Sequence, residues 1–327
     1  MPLLCEKKIM LCVAMRSQRQ PSFWSPGWIQ QALEQRSQSE DTGDLSMSLI
    51  AWSWLFLFVY IGVMLALGFV AKSKIRNADD FATARGSYGP YFLALAFAAT
   101  TASGSTFLGS PALAYEWGIP GAMATFVYPL GVYFGVLISM RLIATSGNRF
   151  GSRSIPEYLG DRYQSEGIRV LVSLLSLVLL FYLAGQLVSG VVMFQIMLGL
   201  EAEWALLITT VVLLIYVVLG GAHADILTDG AQGFMMLVLA VAVIVLFAIG
   251  YGVEGGFRGM IGNLSAQDKN LVAWLNASTQ LFHSWWSFIA IVLAHIPLGL
   301  LPHLGNKLWA LKDTGGQMVF VKLAFTF

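Results

Sequence analysis

The sequence predicts an all-α, polytopic membrane protein, and three observations support this fold class. Of its 327 residues, 57% are hydrophobic and only 11% are charged, whereas soluble domains carry about 25% charged residues. Seven apolar segments have a length close to or above the roughly 20 residues that a membrane helix needs. The basic residues between these segments are concentrated in alternate loops, as expected for membrane proteins.

The N-terminal 47 residues differ from the rest of the chain. They are rich in charged residues and contain both cysteines, so we expect residues 1–47 to form a disordered tail. Residues 48–327 form the predicted membrane domain. Met47 directly precedes the first long apolar run, which makes it a candidate start of translation.

The apolar segments give the predicted order of spans. They cover 49–71, 94–118, 120–144, 168–198, 204–220, 230–252 and 281–301, and an eighth begins at 317. The loops on one side contain 11 lysines and arginines, whereas those on the other side contain two. The positive-inside rule therefore places residue 48 outside and the loop 72–89 in the cytoplasm.

The second apolar segment contains a cluster of small and hydroxylated residues. Gly costs about 1 kcal/mol relative to Ala inside a helix, and Ser and Thr compete for backbone hydrogen bonds. Broken helices form ion and substrate sites in many transporters. A packing seam between helices explains the stretch equally well. The residues in question are Thr100, Thr101, Ser103, Gly104, Ser105 and Thr106.

A second motif, YVVLGGAHADILTDGAQG at 216–233, predicts a cytoplasmic turn between two spans. Gly220-Gly221 can end the first of these helices. Asp229 either begins the next helix, where the helix dipole favours a carboxylate, or belongs to a cation path through the membrane. We expect Asp225 to be a solvated loop charge.

Further polar residues interrupt the later spans. His295 and Pro297 lie within 281–301, and proline kinks a helix. A histidine in a span usually faces the bundle or a cavity, although a hydrogen-bonded packing role is the alternative. Tyr182 and Gln186 lie four residues apart and share a helix face, so they are candidates for a central cavity or for packing.

Several functional classes are disfavoured. The net charge of +1 gives no electrostatic footprint for nucleic acid. The sequence contains no recognisable nucleophile–base pair, phosphate-binding loop or Cys/His metal spacing. We therefore predict no enzyme activity, no nucleic-acid partner and no cofactor, and we expect the lipid bilayer and a small solute as partners.

Four blocks of the chain resemble the sodium:solute symporter family, which includes the pantothenate permeases, the proline permeases and the sodium-coupled sugar transporters. The resemblance runs from about 48 to 327, and the last block is most similar to the pantothenate permease branch. The blocks are DDFATARGSYGP at 79–90, TTASGSTFLGSPALAYEWG at 100–118, YVVLGGAHADILTDGAQG at 216–233 and GLLPHLGNKLWALKD at 299–313.

The resemblance implies a fold of two inverted five-helix repeats around a central site, with an extra leading helix. The segment 49–71 would be that extra helix, and the first repeat would run from 94–118 to 230–252. The span 281–301 would open a second repeat that this chain contains only in part, so residues 48–327 would be a partial transporter domain.

The resemblance also assigns candidate site residues. The sodium-binding residues would be Ala99, Ala102, Ser103 and Asp229. The substrate-binding residues would be Ser105 and Thr106, where the chain should unwind; Gln186 and His295, singled out above from the residues themselves, are the further candidates for substrate contact. Thr101 stands where proline permeases carry an aspartate, and Lys307 stands where the family usually has arginine. Pro297 and Leu298 replace the aromatic contacts of sugar transporters, which argues against a sugar.

The implied function is sodium-coupled import of a small organic solute by alternating access in the plasma or inner membrane. Na⁺ would be the coupling ion rather than a cofactor. Two alternatives stay open at this point. One is a membrane sensor or regulatory module with the same fold, and the other is a non-functional fragment.

Overall fold

A computed structural model describes residues 45–311 and 314–326. The predicted tail at 1–47 lies almost wholly outside these residues. The helices are α1 (Leu45–Lys72), α2 (Ala78–Thr83), α3 (Pro90–Thr101), α4 (Ser110–Trp117), α5 (Ile119–Ala122), α6 (Ala124–Met140), α7 (Gly147–Phe150), α8 (Ile155–Tyr163), α9 (Glu166–Ser176), α10 (Leu179–Leu198), α11 (Ala202–Ala248), α12 (Gly256–Gln267), α13 (Trp285–His295), α14 (Pro302–Leu308) and α15 (Gln317–Thr326). Short π-helical stretches cover Ser105–Gly109 and Arg141–Ser146, and 3₁₀ turns cover Lys269–Val272, Ile296–Leu300 and Thr314–Gly316.

The predicted set of spans agrees with the helices. By length and composition, four helices could cross a membrane, and the pairs α3–α4 and α13–α14 are each a bent span. Helix α11 has 47 residues, which is about 70 Å at 1.5 Å per residue and roughly twice the hydrocarbon thickness. It therefore counts as two spans, which gives the seven predicted among the described residues.

Helix α11 reverses at one residue rather than through a loop. Gly221 has φ 51° and ψ −136°, and its neighbours remain helical. Residues that carry a side chain rarely adopt this backbone conformation, whereas glycine does so readily. The first span therefore ends at Gly221, as predicted, but the expected gap between 220 and 230 is wrong, because the second half of α11 begins immediately after Gly221. Asp225 and Asp229 consequently lie on a helix, and Asp229 is neither a loop residue nor a helix start.

Close glycine contacts hold α11 against its neighbours. A Cβ atom at Gly68 of α1 would lie 2.9 Å from Tyr216 Cβ. On the other half of α11, Gly230 faces the ring of Phe92, and Gly233 faces the backbone of Leu95. Small residues let membrane helices approach closely enough for backbone packing. This packing fixes the second half of α11 beside α3, where the candidate site forms.

The buried core lies where α3, α6, α14 and α15 meet. The ring of Phe97 packs edge-on against Phe320, with centroids 5.4 Å apart. Trp309 is fully buried, and its indole N–H donates to Ile143 O at 2.8 Å. Gly147 leaves room for the Trp309 ring. The core thus joins the bent span α13–α14 to the first bent span α3–α4.

Arg85 connects the predicted cytoplasmic segments. Its guanidinium donates to both carboxylate oxygens of Asp79, at 2.9 and 3.0 Å. It also donates to Asn148 Oδ1 at 2.6 Å and to Ser152 O at 2.7 Å. A bidentate arginine–carboxylate pair has a fixed geometry, so this contact holds the segment before α3 against the loop after α6.

Acidification should weaken this ion pair. The hydrogen bonds from Arg85 lower the pKa of Asp79 below its ordinary value. A lowered pKa means that the stabilisation is complete above the unfolded-state pKa of about 3.9 and is lost as pH falls through the folded-state pKa. Asp79→Asn should cost about 0.5–1 kcal/mol near pH 7, and this difference from wild type should shrink on acidification. Thermal unfolding of both proteins in detergent, between about pH 7 and pH 3, measures this stability difference. A stability difference that does not change with pH would contradict the ion pair's role.

Candidate cation and substrate site

The candidate site surrounds a break between α3 and α4. The predicted break is confirmed, since the segments Pro90–Thr101 and Thr106–Trp117 meet at 66°. Ala102 has φ −74° and ψ 89°, which ends the helix. We predicted that the chain unwinds at Ser105 and Thr106. It unwinds before them instead, and those two residues begin a π-helical turn. Such π-helical turns are frequent at functional sites.

The break releases two carbonyl groups from their helical donors. The N–H of Ser103 donates to Thr106 Oγ1 at 3.3 Å, and the N–H of Gly104 donates to Gln186 Oε1 at 2.6 Å. In an uninterrupted helix these amides would bond to the carbonyls of Ala99 and Thr100. Backbone oxygens freed in this way are the cation ligands of broken membrane helices.

Helix α10 touches the break directly at Gly104. The N–H of Gly104 donates to Gln186 of this helix. In addition, a Cβ atom at Gly104 would overlap Oγ and Cβ of Ser189. Gly185, one residue before Gln186, has no atom within 4 Å of such a position. The chain can therefore pass α10 at Gly104 only because the residue has no side chain.

Aromatic and imidazole side chains surround the same region. Tyr128 of α6 donates its hydroxyl to Thr101 O at 3.0 Å. Its ring meets His295 edge-on, with centroids 5.4 Å apart, and His295 Nδ1 lies 2.7 Å from Ile291 O. Tyr182 of α10 stacks on His303 of α14, with centroids 5.6 Å apart. These contacts place His295 and Tyr182 on helices that border the break.

A charged cluster lies beside the end of α3. Lys307 of α14 is 5% exposed and forms ion pairs with Asp229 and, at 2.9 Å, with Asp225. Thr100 Oγ1 lies 2.7 Å from Asp229 Oδ2 and also accepts a hydrogen bond from Lys307. Asp225 was expected to be a solvated loop charge, but it is a helical residue that pairs with this buried amine. The cluster links three spans.

A cleft of about 520 Å³ lies between α3 and the second half of α11. Ala98, Ala99 and Ala102 form one wall. Apolar residues of α11 form the facing wall, together with Gly233. Two of the predicted sodium-binding positions thus border the same open space.

The structure places most of the predicted site residues around the break. Ser103, Thr106 and Gln186 meet at it, and His295 is connected to it through Tyr128. The side chain of Ser105 lies outside the described part of the chain. Asp229 contacts Thr100 and is already paired with Lys307. Binding roles for all eight residues stay predictions.

Sequence reasoning missed Tyr128 and the contacts that join Thr100 and Lys307 to Asp229. Tyr128 could have been noticed as a hydroxyl within an apolar span next to Pro129. Lys307 was noted only for its residue type, because nothing in the local sequence shows that it reaches Asp229, 78 positions away. Such contacts depend on the tertiary arrangement.

Comparisons with known proteins give one matching family model and several curated relatives. A model of the sodium:solute symporter family matches residues 81–320. The chain is 28% identical over 232 residues to a sodium/pantothenate symporter of Escherichia coli, covering 70% of this chain and 47% of that protein. It is 30% identical over 212 residues to a high-affinity proline transporter of Bacillus subtilis, covering 64% and 44%. The chain spans about half the length of the curated relatives it matches.

Proposed function

Because the chain belongs to the sodium:solute symporter family, we propose that it forms part of a sodium-coupled transporter that imports a small organic solute by alternating access. The single observation that carries this proposal is the diversion of the Ser103 and Gly104 amides from α3. That diversion leaves carbonyl oxygens in a membrane span without their helical donors, and a cation can use them.

The proposed cation site consists of hard oxygen ligands. The carbonyls of Ala99 and Ala102 and the hydroxyl of Ser103 would bind Na⁺, and Asp229 would supply negative charge nearby. The cleft beside Ala99 and Ala102 leaves room for further ligands. By the family resemblance, a later helix of the second repeat would supply hydroxyl groups there.

The proposed substrate site lies on the α10 side of the break. Gln186 is anchored on Gly104 N–H, and Thr106 lies in the adjoining π-helical turn. Ser105 and His295 complete the proposed set. The solutes in the names of the relatives, pantothenate and proline, both carry a carboxylate. We therefore propose a small carboxylate, for which amide and hydroxyl donors are suitable partners.

Coupling follows from the charge that moves with the solute. One elementary charge crossing the membrane potential yields about 2.3 kcal/mol per 100 mV, enough for a concentration ratio of about 50-fold when each 1.4 kcal/mol gives tenfold. Cation binding at the break would fix the two half-helices, and solute binding beside it would favour closure of the site. We place this activity in the plasma or inner membrane.

Uptake into proteoliposomes tests the proposal. Purified protein should accumulate labelled pantothenate, proline or acetate when an inward sodium gradient is imposed. The same vesicles with an inward choline gradient are the control and should show only leak. Equal uptake with sodium and choline, for every solute tested, would reject sodium coupling.

A further inference from the structure

Lys307 places a positively charged amine beside the proposed cation site. The side chain is 5% exposed, and its amine contacts the carboxylates of Asp229 and Asp225 and the hydroxyl of Thr100. Removing a charged amine from solvent is costly unless it is paired. Lys307 therefore occupies an oxygen-lined position that an inorganic cation could also occupy.

The two carboxylates around Lys307 are not equivalent. Asp229 has a side chain that is 18% exposed, whereas that of Asp225 is 49% exposed. They lie four residues apart in α11, so they share one helix face. The amine already contacts both, and it could remain with Asp225 after leaving Asp229. Asp225 thus provides a second partner nearer to solvent.

Among the described residues, the cluster also has one carboxylate more than it has amines. Two carboxylates and one amine carry a formal charge of −1, and Thr100 adds none. A monovalent cation at Asp229 would neutralise the set. Two positive charges on one buried carboxylate repel each other, so a cation that reaches Asp229 would favour the amine's contact with Asp225.

We infer that Lys307 is a positioning residue, a tethered cation that competes with the coupling cation for Asp229. This inference rests on the proposed function. In the cation-free protein the amine neutralises Asp229 and holds α14 against α3 and α11. When the cation binds, the amine shifts to Asp225 and the contact between α14 and Thr100 is released. The competition sets the cation affinity and links binding to the position of α14.

Two variants should change cation affinity in opposite directions. Lys307→Gln removes the competitor, so the half-saturating Na⁺ concentration should fall at least about fivefold. Asp225→Asn removes the alternative partner and commits the amine to Asp229, so the half-saturating concentration should rise at least about threefold. Lys307→Arg keeps the positive charge but replaces the compact amine with a planar guanidinium, so its half-saturating Na⁺ concentration should lie nearer to that of wild type than that of Lys307→Gln does. Lys322→Gln, on the exposed surface of α15, is the matched control.

The readouts are sodium-driven uptake and the Na⁺-dependent rise in thermal unfolding temperature of the purified full-length protein. The inference is overturned if both variants shift the half-saturating Na⁺ concentration in the same direction, or if Asp225→Asn leaves it unchanged. If Lys307→Gln does not fold, Asp225→Asn decides alone. A wild type that binds Na⁺ but shows no gradient-driven uptake rejects the transport proposal, while the thermal data still decide on Lys307. A wild type without any Na⁺ response rejects both.

Discussion

Replacing Gly104 with alanine should reduce sodium-driven uptake about 100-fold, because displacing a binding geometry by about 1 Å has effects of this size. The added methyl group would overlap Ser189 on α10, so the backbone at the break must move. That movement separates Gly104 N–H from Gln186 Oε1, which now lie 2.6 Å apart. Initial uptake rates in proteoliposomes, normalised to the amount of folded protein, measure the effect.

Gly185→Ala is the matched control for this prediction. Gly185 lies on the same helix as Ser189 and next to Gln186, but no atom lies within 4 Å of its would-be Cβ. The variant should retain uptake within about twofold of wild type, because exposed helical Gly→Ala changes are mild. Equal losses in the two variants would show that α10, rather than the break, is the sensitive element.

Gly221→Ala should destabilise the protein by about 2–5 kcal/mol, from backbone strain together with steric overlap. Gly221 has φ 51° and ψ −136°, and an added Cβ would overlap the backbone oxygen of Phe81. Relieving this overlap moves α2 away from the start of the second half of α11. The thermal unfolding midpoint of the purified protein, monitored by tryptophan fluorescence, measures the loss.

Gly252→Ala separates backbone strain from steric overlap. Gly252 also has a positive φ, 80°, but nothing lies within 4 Å of its would-be Cβ. The free energy of unfolding of this variant should therefore fall by only about 1–2 kcal/mol, the cost of the left-handed backbone conformation alone. If Gly252→Ala is as destabilising as Gly221→Ala, the close packing of α11 against α2 is not the cause.

The spans were predictable because membrane crossing is a local property of the sequence. Length and apolar content identify each segment without knowledge of its neighbours. The break in α3 was predictable for the same reason, since Gly104 and the adjoining hydroxyl residues disfavour a helix wherever they occur. The position of the break was less accurate, because the hydrogen bond between Gln186 and Gly104 helps to fix it and comes from another span.

The charged cluster could not be derived from local patterns. Asp225 and Asp229 follow two glycines, which favoured a loop, whereas only Gly221 departs from helical geometry. The partner of both acids is Lys307, which α14 brings into contact across the bundle. Helix propensity and charge spacing describe residues within a few turns of each other, so they contain no information about this contact.

Equilibrium binding of ²²Na⁺ to the purified protein tests most directly whether the break between α3 and α4 holds the coupling cation. Scintillation proximity assays would compare wild type with Gly104→Ala and Gly185→Ala. We expect saturable binding by wild type and by Gly185→Ala, which unlabelled Na⁺ displaces and choline does not, and we expect Gly104→Ala to lose this binding. Undiminished ²²Na⁺ binding by a folded Gly104→Ala protein would contradict this expectation.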